Sequence, residues 1–236
     1  LPEARKRSAE LRALIEHHNR LYYGEARTEI SDLEFDAMMG ELQELEALYP
    51  ELAAPDSPTQ RVGGAPSGDF ETVVHRVPML SIDNTYNEGE LRKFDERVRR
   101  GLEGEAPVYV VELKIDGVSI SLRYAKGKLS RAVTRGDGIR GDDITRNVRT
   151  IAAIPERVEG QPPPAFEVRG EIYMRNAELE RLNALRLEAG EEPYRNPRNT
   201  TAGTLKLKDP KQVAGRKLDA FLYDIVPEEG VEIESH

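Results

Sequence analysis

Apolar positions follow two different periods along the chain. From the N-terminus to about residue 49 they recur at three and four. Leu11, Ile15, His18 and Tyr22 fall on one face of a helix, with Gly24 as its stop. Ser31 and Glu34 have the spacing of a capping box, and a second stripe follows through Phe35, Met38, Leu42, Leu45 and Tyr49. Two helices of this length bury little surface by themselves, so the pair is expected to lean on a neighbouring domain or a ligand. Pro50, Pro55, Pro58 and Pro66, with Gly63, Gly64 and Gly68, predict a linker over 50–69 with little helix or central strand.

From about residue 70 the period changes to two. Val108 to Leu122 alternates, and Lys126-Gly127 reads as a hairpin turn into Leu129 to Thr134. Phe166, Val168, Ile172 and Met174 alternate again, and Leu218 to Val226 predicts a last strand. Helical faces lie between them. Ile144, Val148 and Ile151 form one; Leu179, Leu182 and Leu185 form another, with Asn176 as N-cap and Gly190 as C-cap. Strands and helices without regular βαβ alternation predict an α+β fold. The helical part is expected over 1–63 and the mixed part over 64–236.

Composition narrows the function classes. Lys and Arg total 34 against 43 Asp and Glu, a net charge of −9. A free-standing, charge-driven DNA binder is disfavoured on that balance, although a local basic groove remains open. The chain has no cysteine, which removes disulfides, thiol nucleophiles and Cys-based zinc sites. The apolar runs fall far short of the roughly 18 residues a membrane helix needs. The first residue is Leu1, which suggests a piece of a longer protein.

The chemistry concentrates around Lys114. On a strand, Glu112, Lys114 and Asp116 share one face, opposite Val111, Leu113 and Ile115. Two readings stay open: an exposed charged face, or a reactive lysine. Gly117 marks a close backbone approach, often by a ligand. A lysine between carboxylates attacks only if burial, a cation or an arginine removes its proton. That points to a metal-dependent reaction on an anionic substrate. Arg135-Gly136-Asp137-Gly138, followed by Gly141-Asp142-Asp143, offers backbone N–H groups and a guanidinium to phosphate, or is an ordinary loop. Glu167, Arg169 and Glu171 share another strand face. Asn199 is a candidate cap that places Arg198 at a helix N-terminus.

The order Lys114-Ile115-Asp116-Gly117, Arg135-Gly136-Asp137-Gly138, Glu167-Val168-Arg169-Gly170-Glu171, Asn196-Pro197-Arg198-Asn199 resembles the bacterial NAD-dependent DNA ligases. The lysine motif alone is shared with ATP-dependent ligases and mRNA capping enzymes. His17 to Tyr23, Ile30 to Asp36, Asp56 to Gly63 and Pro78 to Asn84 also match the NAD-dependent branch. The resemblance implies a small helical domain followed by an ATP-grasp-like nucleotidyltransferase domain of antiparallel sheets. It implies that Lys114 attacks the α-phosphate of NAD, forms lysyl-AMP and expels nicotinamide mononucleotide. Glu112 then serves the adenine side, Arg135 the ribose or phosphate, and Glu171 the ribose. Ser81 and Ile82 line the adenylate site, and Asp116 and Gly117 complete the lysine motif.

By the same resemblance Tyr22, Tyr23, Asp32, Phe35 and Asp36 hold the nicotinamide mononucleotide half. Tyr22 and Phe35 also continue apolar stripes and have a core reading beside that one. Phe35 stands where the family often has tyrosine. Lys206 stands where many members have arginine, and with Arg198 it is expected to face phosphate or DNA. The cofactors implied are NAD and Mg²⁺, with no compact ligand motif for the metal. Zinc is expected only in a later four-cysteine region, beyond residue 236 with the OB domain. The whole protein would seal nicks in duplex DNA; these 236 residues would bind DNA weakly or not at all. A cytoplasmic monomer is expected. The alternatives are an NAD-binding module without chemistry and an ATP-dependent nucleotidyltransferase.

Overall fold

The computed structural model describes residues 1–21, 29–54, 57–60, 70–102 and 105–226. By internal packing the chain divides into two units, residues 1–79 with 115–236, and Leu80–Lys114. Among the described residues no helix is long and apolar enough to cross a membrane.

Helix α1 spans Pro2–Asn19 and α2 spans Asp32–Leu48. The capping box forms as its spacing predicts. The Ser31 hydroxyl accepts from the Glu34 N–H at 3.3 Å, and the Glu34 carboxylate accepts from the Ser31 N–H at 2.8 Å. Leu11 and Ile15 of α1 meet Leu42 of α2, all fully buried, with Phe35, Met38 and Leu45 packed around them. Each such side chain contributes about 1.5–3 kcal/mol, so three make a thin core. Gly24 lies outside the described residues. The predicted linker differs in part: short 3-10 turns occupy Pro50–Leu52 and Pro58–Gln60. Proline starts each turn, where its missing N–H costs nothing. The second turn is anchored. Glu46 of α2, almost fully buried, accepts from Ser57 Oγ at 2.6 Å, Thr59 Oγ1 at 2.5 Å and Arg12 at 2.9 Å.

Strands β1 (Thr72–Val74) and β4 (Arg140–Asp142) pair antiparallel. The main sheet orders β3 (Lys128–Thr134), β2 (Val118–Ala125), β5 (Ala165–Tyr173) and β6 (Asp219–Val226), all antiparallel. Lys126 and Gly127 both have positive φ, 52° and 69°, and make the predicted two-residue hairpin turn. Period two assigns the faces. Ile120, Leu122, Tyr124, Phe166 and Ile172 turn to the core. They pack with Ile144, Val148 and Ile151 around α4 (Thr145–Val148), Leu205 of α6 (Pro197–Leu205) and Val213 of α7 (Pro210–Ala214). The buried Asn147 amide donates to the carbonyls of Leu205 and Leu207 at 2.7 and 2.8 Å, which ties α4 to the end of α6.

Three sequence expectations shift. The strand predicted over Val108 to Leu122 begins only at Val118. Alternation specifies extended backbone, but a strand also needs a hydrogen-bonding partner, and the β2–β5 ladder ends at the Val118–Ile172 pair. Val108, Val111 and Leu113 are 94%, 92% and 83% exposed, so that alternation does not bury an apolar side. Helix α5 spans Asn176–Glu188, so Asn176 is its first residue and Arg175 its N-cap. Leu185 is half exposed and leaves the predicted stripe. In α6 the cap is Asn196, whose side chain accepts from the Asn199 N–H at 2.8 Å. Pro197 prefers the first helical position, which moves the cap three residues earlier than predicted.

The unit Leu80–Lys114 carries α3 (Glu88–Gly101), which has no buried residue. Asn87 caps it. Asp95 accepts from Arg99 and from Tyr109 Oη, both at 2.7 Å.

Candidate functional site

The face of the sheet opposite the core is polar, and the register lays it out in rows. Ser119 of β2 stands opposite Glu171 of β5, Ser121 opposite Arg169, and Arg123 opposite Glu167. Arg135 follows β3 directly, and its N–H donates to the Ser119 carbonyl at 3.1 Å. Ser119 Oγ donates to Glu171 Oε2 at 2.7 Å. Ser119 and Glu171 on β2 and β5, with Arg135 just past the end of β3, therefore form one row. On β6, Tyr223 feels the same residues. Burial pushes its hydroxyl up, Glu171 adds to that, and Arg169 and Arg135 oppose it.

The chain on from β1 crosses this face as a strap. Arg123 donates to the Val74 carbonyl at 3.2 Å. Arg169 donates to the carbonyls of Val77 and Pro78 at 2.7 and 3.2 Å. The N–H groups of His75 and Met79 donate to the carbonyls of Ile139 and Gly138, both at 2.8 Å. The His75 ring is buried, with Nε2 3.1 Å from the carbonyl oxygens of both Thr134 and Arg135. The strap thus grips the backbone that carries Arg135.

The Arg135–Arg140 turn is held from within. Asp137 Oδ1 accepts from the N–H groups of Ile139 and Arg140 at 3.0 and 2.6 Å. Burial works against that charge, but these bonds outweigh it and hold the carboxyl below its ordinary range. Gly136 has φ of 57° and Gly138 of 85°, backbone that side chains other than glycine rarely adopt.

Gly117, which the sequence tied to a ligand, has a nearer neighbour, and so does Gly170. A Cβ on Gly117 would meet the Ile172 carbonyl oxygen, and one on Gly170 would meet the Phe221 carbonyl oxygen at 2.6 Å. Both are sites of strand-to-strand approach, and the β5–β6 register shifts between Arg169 and Gly170.

Asp116 and Gly117 lead into β2. Asp116 pairs with Arg198 of α6 at 3.0 Å. Lys206 pairs with the buried Asp142 at 3.4 Å. Both cations expected to face phosphate or DNA thus have carboxylate partners on their own unit. Ser81, Ile82, Glu112 and Lys114 belong to the other unit, where all four are exposed. Residues 105–117 lie outside any strand, so the shared strand face inferred for Glu112, Lys114 and Asp116 is not formed. In the helical part Phe35 and Asp36 are half-buried on α2, and Phe35 packs against Leu11, Ile15 and Leu42. Tyr22, Tyr23 and the side chain of Asp32 lie outside the described residues.

Sequence reasoning passed over His75 and Ser119. Both had a signal: a histidine inside the apolar run Val73 to Val77, and a serine two residues after Gly117 on the same strand face.

Two family models match the chain in sequence. The DNA ligase-like, N-terminal NAD+-binding domain covers residues 1–63, and the NAD-dependent DNA ligase adenylation domain covers residues 67–236. The chain is 51% identical over 236 residues to a DNA ligase of Symbiobacterium thermophilum, covering 99% of this chain and 35% of that protein. It is 58% identical over 216 residues to a DNA ligase of Fervidobacterium nodosum, covering 92% and 31%. With a DNA ligase of Brevibacillus brevis it shares 52% over 227 residues, covering 96% and 34%. The chain spans about a third of the length of these relatives. Two adjoining family matches cover nearly the whole chain, and they agree with the order of its motifs: the chain belongs to the NAD-dependent DNA ligases, of which it carries the N-terminal NAD+-binding and adenylation domains.

Proposed function

We propose that this chain performs the adenylation step of NAD-dependent nick sealing, with Lys114 as the nucleophile. Lys114 Nζ loses its proton to solvent and forms a P–N bond to the α-phosphorus as the pyrophosphate P–O bond breaks. The electron pair of that bond leaves with nicotinamide mononucleotide. NAD supplies the activated phosphoanhydride and the leaving group. The observation that carries this reading is the row Arg135–Ser119–Glu171, set on the strand that the lysine motif leads into.

That donor set fits an adenylate. The Arg135 guanidinium suits a phosphate or ribose oxygen, and the Glu171 carboxylate suits the ribose diol. Glu112 serves the adenine side, and Ser81 and Ile82 line the adenylate. Asp116 of the lysine motif is held by its pair with Arg198. Arg198, in the first turn of α6, and Lys206 are assigned to phosphate and DNA.

Residues 1–63 hold the nicotinamide mononucleotide half through Tyr22, Tyr23, Asp32, Phe35 and Asp36, and residues 64–236 hold the adenylate. An aromatic ring stacks on the cationic nicotinamide, and carboxylates bind its ribose hydroxyls. Mg²⁺ belongs to this proposal as the oxygen-seeking ion that accompanies pyrophosphate. The complete protein joins nicks in duplex DNA as a cytoplasmic monomer.

Intact mass after incubation with NAD and Mg²⁺, in parallel with ATP, tests the reading. The expected result is a gain of one AMP with NAD alone, absent in Lys114→Ala. AMP on Lys114→Ala would refute the nucleophile. A gain with ATP would favour the ATP-dependent alternative. No gain, with NAD binding retained in calorimetry, would leave a binding module.

A further inference from the structure

The end of α1 brings together three groups that the adenylation chemistry does not use. His17, His18 and Glu29 each offer one ligand atom, and these atoms lie within 4.8 Å of one another. His17 Nε2 stands 3.3 Å from Glu29 Oε2, and the two imidazole rings meet edge-on with centroids 5.1 Å apart. The donors of a tetrahedral zinc site lie about 3.4 Å apart for metal–ligand bonds near 2.0–2.1 Å. The His17–Glu29 pair is already at that spacing, and the third donor needs only a small side-chain adjustment.

A second observation points to a ligand. The Nδ1 atom of His18 is buried and has no hydrogen-bond partner among the described residues. A buried ring nitrogen left without a partner costs free energy, which coordination or a bound water would recover. The location adds to this. Both imidazoles lie in the last turn of α1, at the negative end of the helix dipole, which favours a cation there.

We propose that His17, His18 and Glu29 bind one divalent transition-metal ion of the zinc class. Two imidazoles and a carboxylate are the donors such ions prefer, whereas Mg²⁺ takes oxygen ligands and keeps its waters. The site is therefore chemically distinct from any Mg²⁺ that accompanies NAD. Three protein ligands leave a fourth position for water or a further group. Bound metal would clip the end of α1 to residue 29, two residues before the Ser31 cap of α2.

Co²⁺, which reports a tetrahedral nitrogen and oxygen site by its visible absorption, is the probe. The expected result is one equivalent bound by the 236-residue protein, displaced by Zn²⁺ and not by excess Mg²⁺. Glu29→Gln and His17→Gln should each weaken it by about tenfold or more. Circular dichroism establishes that both variants stay folded, and Glu29, on the surface, is the safer of the two. Absence of Co²⁺ absorption in the unmodified protein would overturn the proposal. Equal affinity in both variants would overturn it too, because the ion would then sit elsewhere.

Discussion

His75 is held neutral by where it sits. Two carbonyl oxygens, those of Thr134 and Arg135, face Nε2, so Nε2 carries the hydrogen and donates. Nδ1 is buried without a partner among the described residues. A second proton would put charge into that space. Burial is the main reason its pKa falls below the ordinary 6.5, and Arg123 adds to it, while the carbonyls and Glu167 oppose it. Unfolded histidine takes the proton that the folded one refuses. The contribution is thus complete above about pH 6.5 and is lost as pH falls below it. Thermal unfolding from about pH 7.5 down to 5.5 should show a falling midpoint, and His75→Gln should flatten that slope. An unchanged slope in the variant would assign the titration to another group.

At the scale of elements, the helical pair has a small core that its ends supplement. Its fully buried centre is three side chains, Leu11, Ile15 and Leu42. The Ser31–Glu34 box and the Glu46 anchor supply what that core lacks. Ser31→Ala removes an acceptor for the Glu34 N–H and should lower stability by about 1 kcal/mol in urea unfolding. A loss below about 0.3 kcal/mol would mean that water replaces the cap. The sheet works differently. Its register alone puts Ile120, Leu122 and Ile172 on the core side and Ser119, Arg169 and Glu171 on the other. A slip of one residue would exchange the two sets. Gly117 and Gly170 guard that register, because a Cβ at either would strike the neighbouring strand.

At the scale of the whole molecule, the charge balance bears on DNA binding. The net charge is −9. It does not suit a surface that wraps phosphate backbone. Arg198 and Lys206 are moreover paired with Asp116 and Asp142. Fluorescence anisotropy with a nicked duplex should therefore register weak binding by these 236 residues, with little dependence on salt. Tight binding that falls steeply with salt would expose a basic groove that the charge balance hides.

The elements whose signal is local were legible in the sequence. The capping box, the Lys126-Gly127 turn, the paired helices and the faces of β2 and β5 follow from spacing, because each rests on neighbours a few residues apart. The order of the motifs likewise carries the family resemblance. What needed distant partners was not legible. The alternating run before Val118 looks like strand, yet no ladder includes residues 105–117, since pairing is decided by chain elsewhere. Gly117 reads as a ligand approach because the strand that presses on it is far away in sequence. His75 joined the Arg135 backbone from about 60 residues off, and His18 came together with Glu29 across a connection whose length says nothing of proximity. Sequence by itself determined the chemistry available, the local elements and the family. Only the tertiary structure decided which polar groups share a row, which cations are already paired and which buried nitrogens lack a partner, because those depend on long-range register and burial.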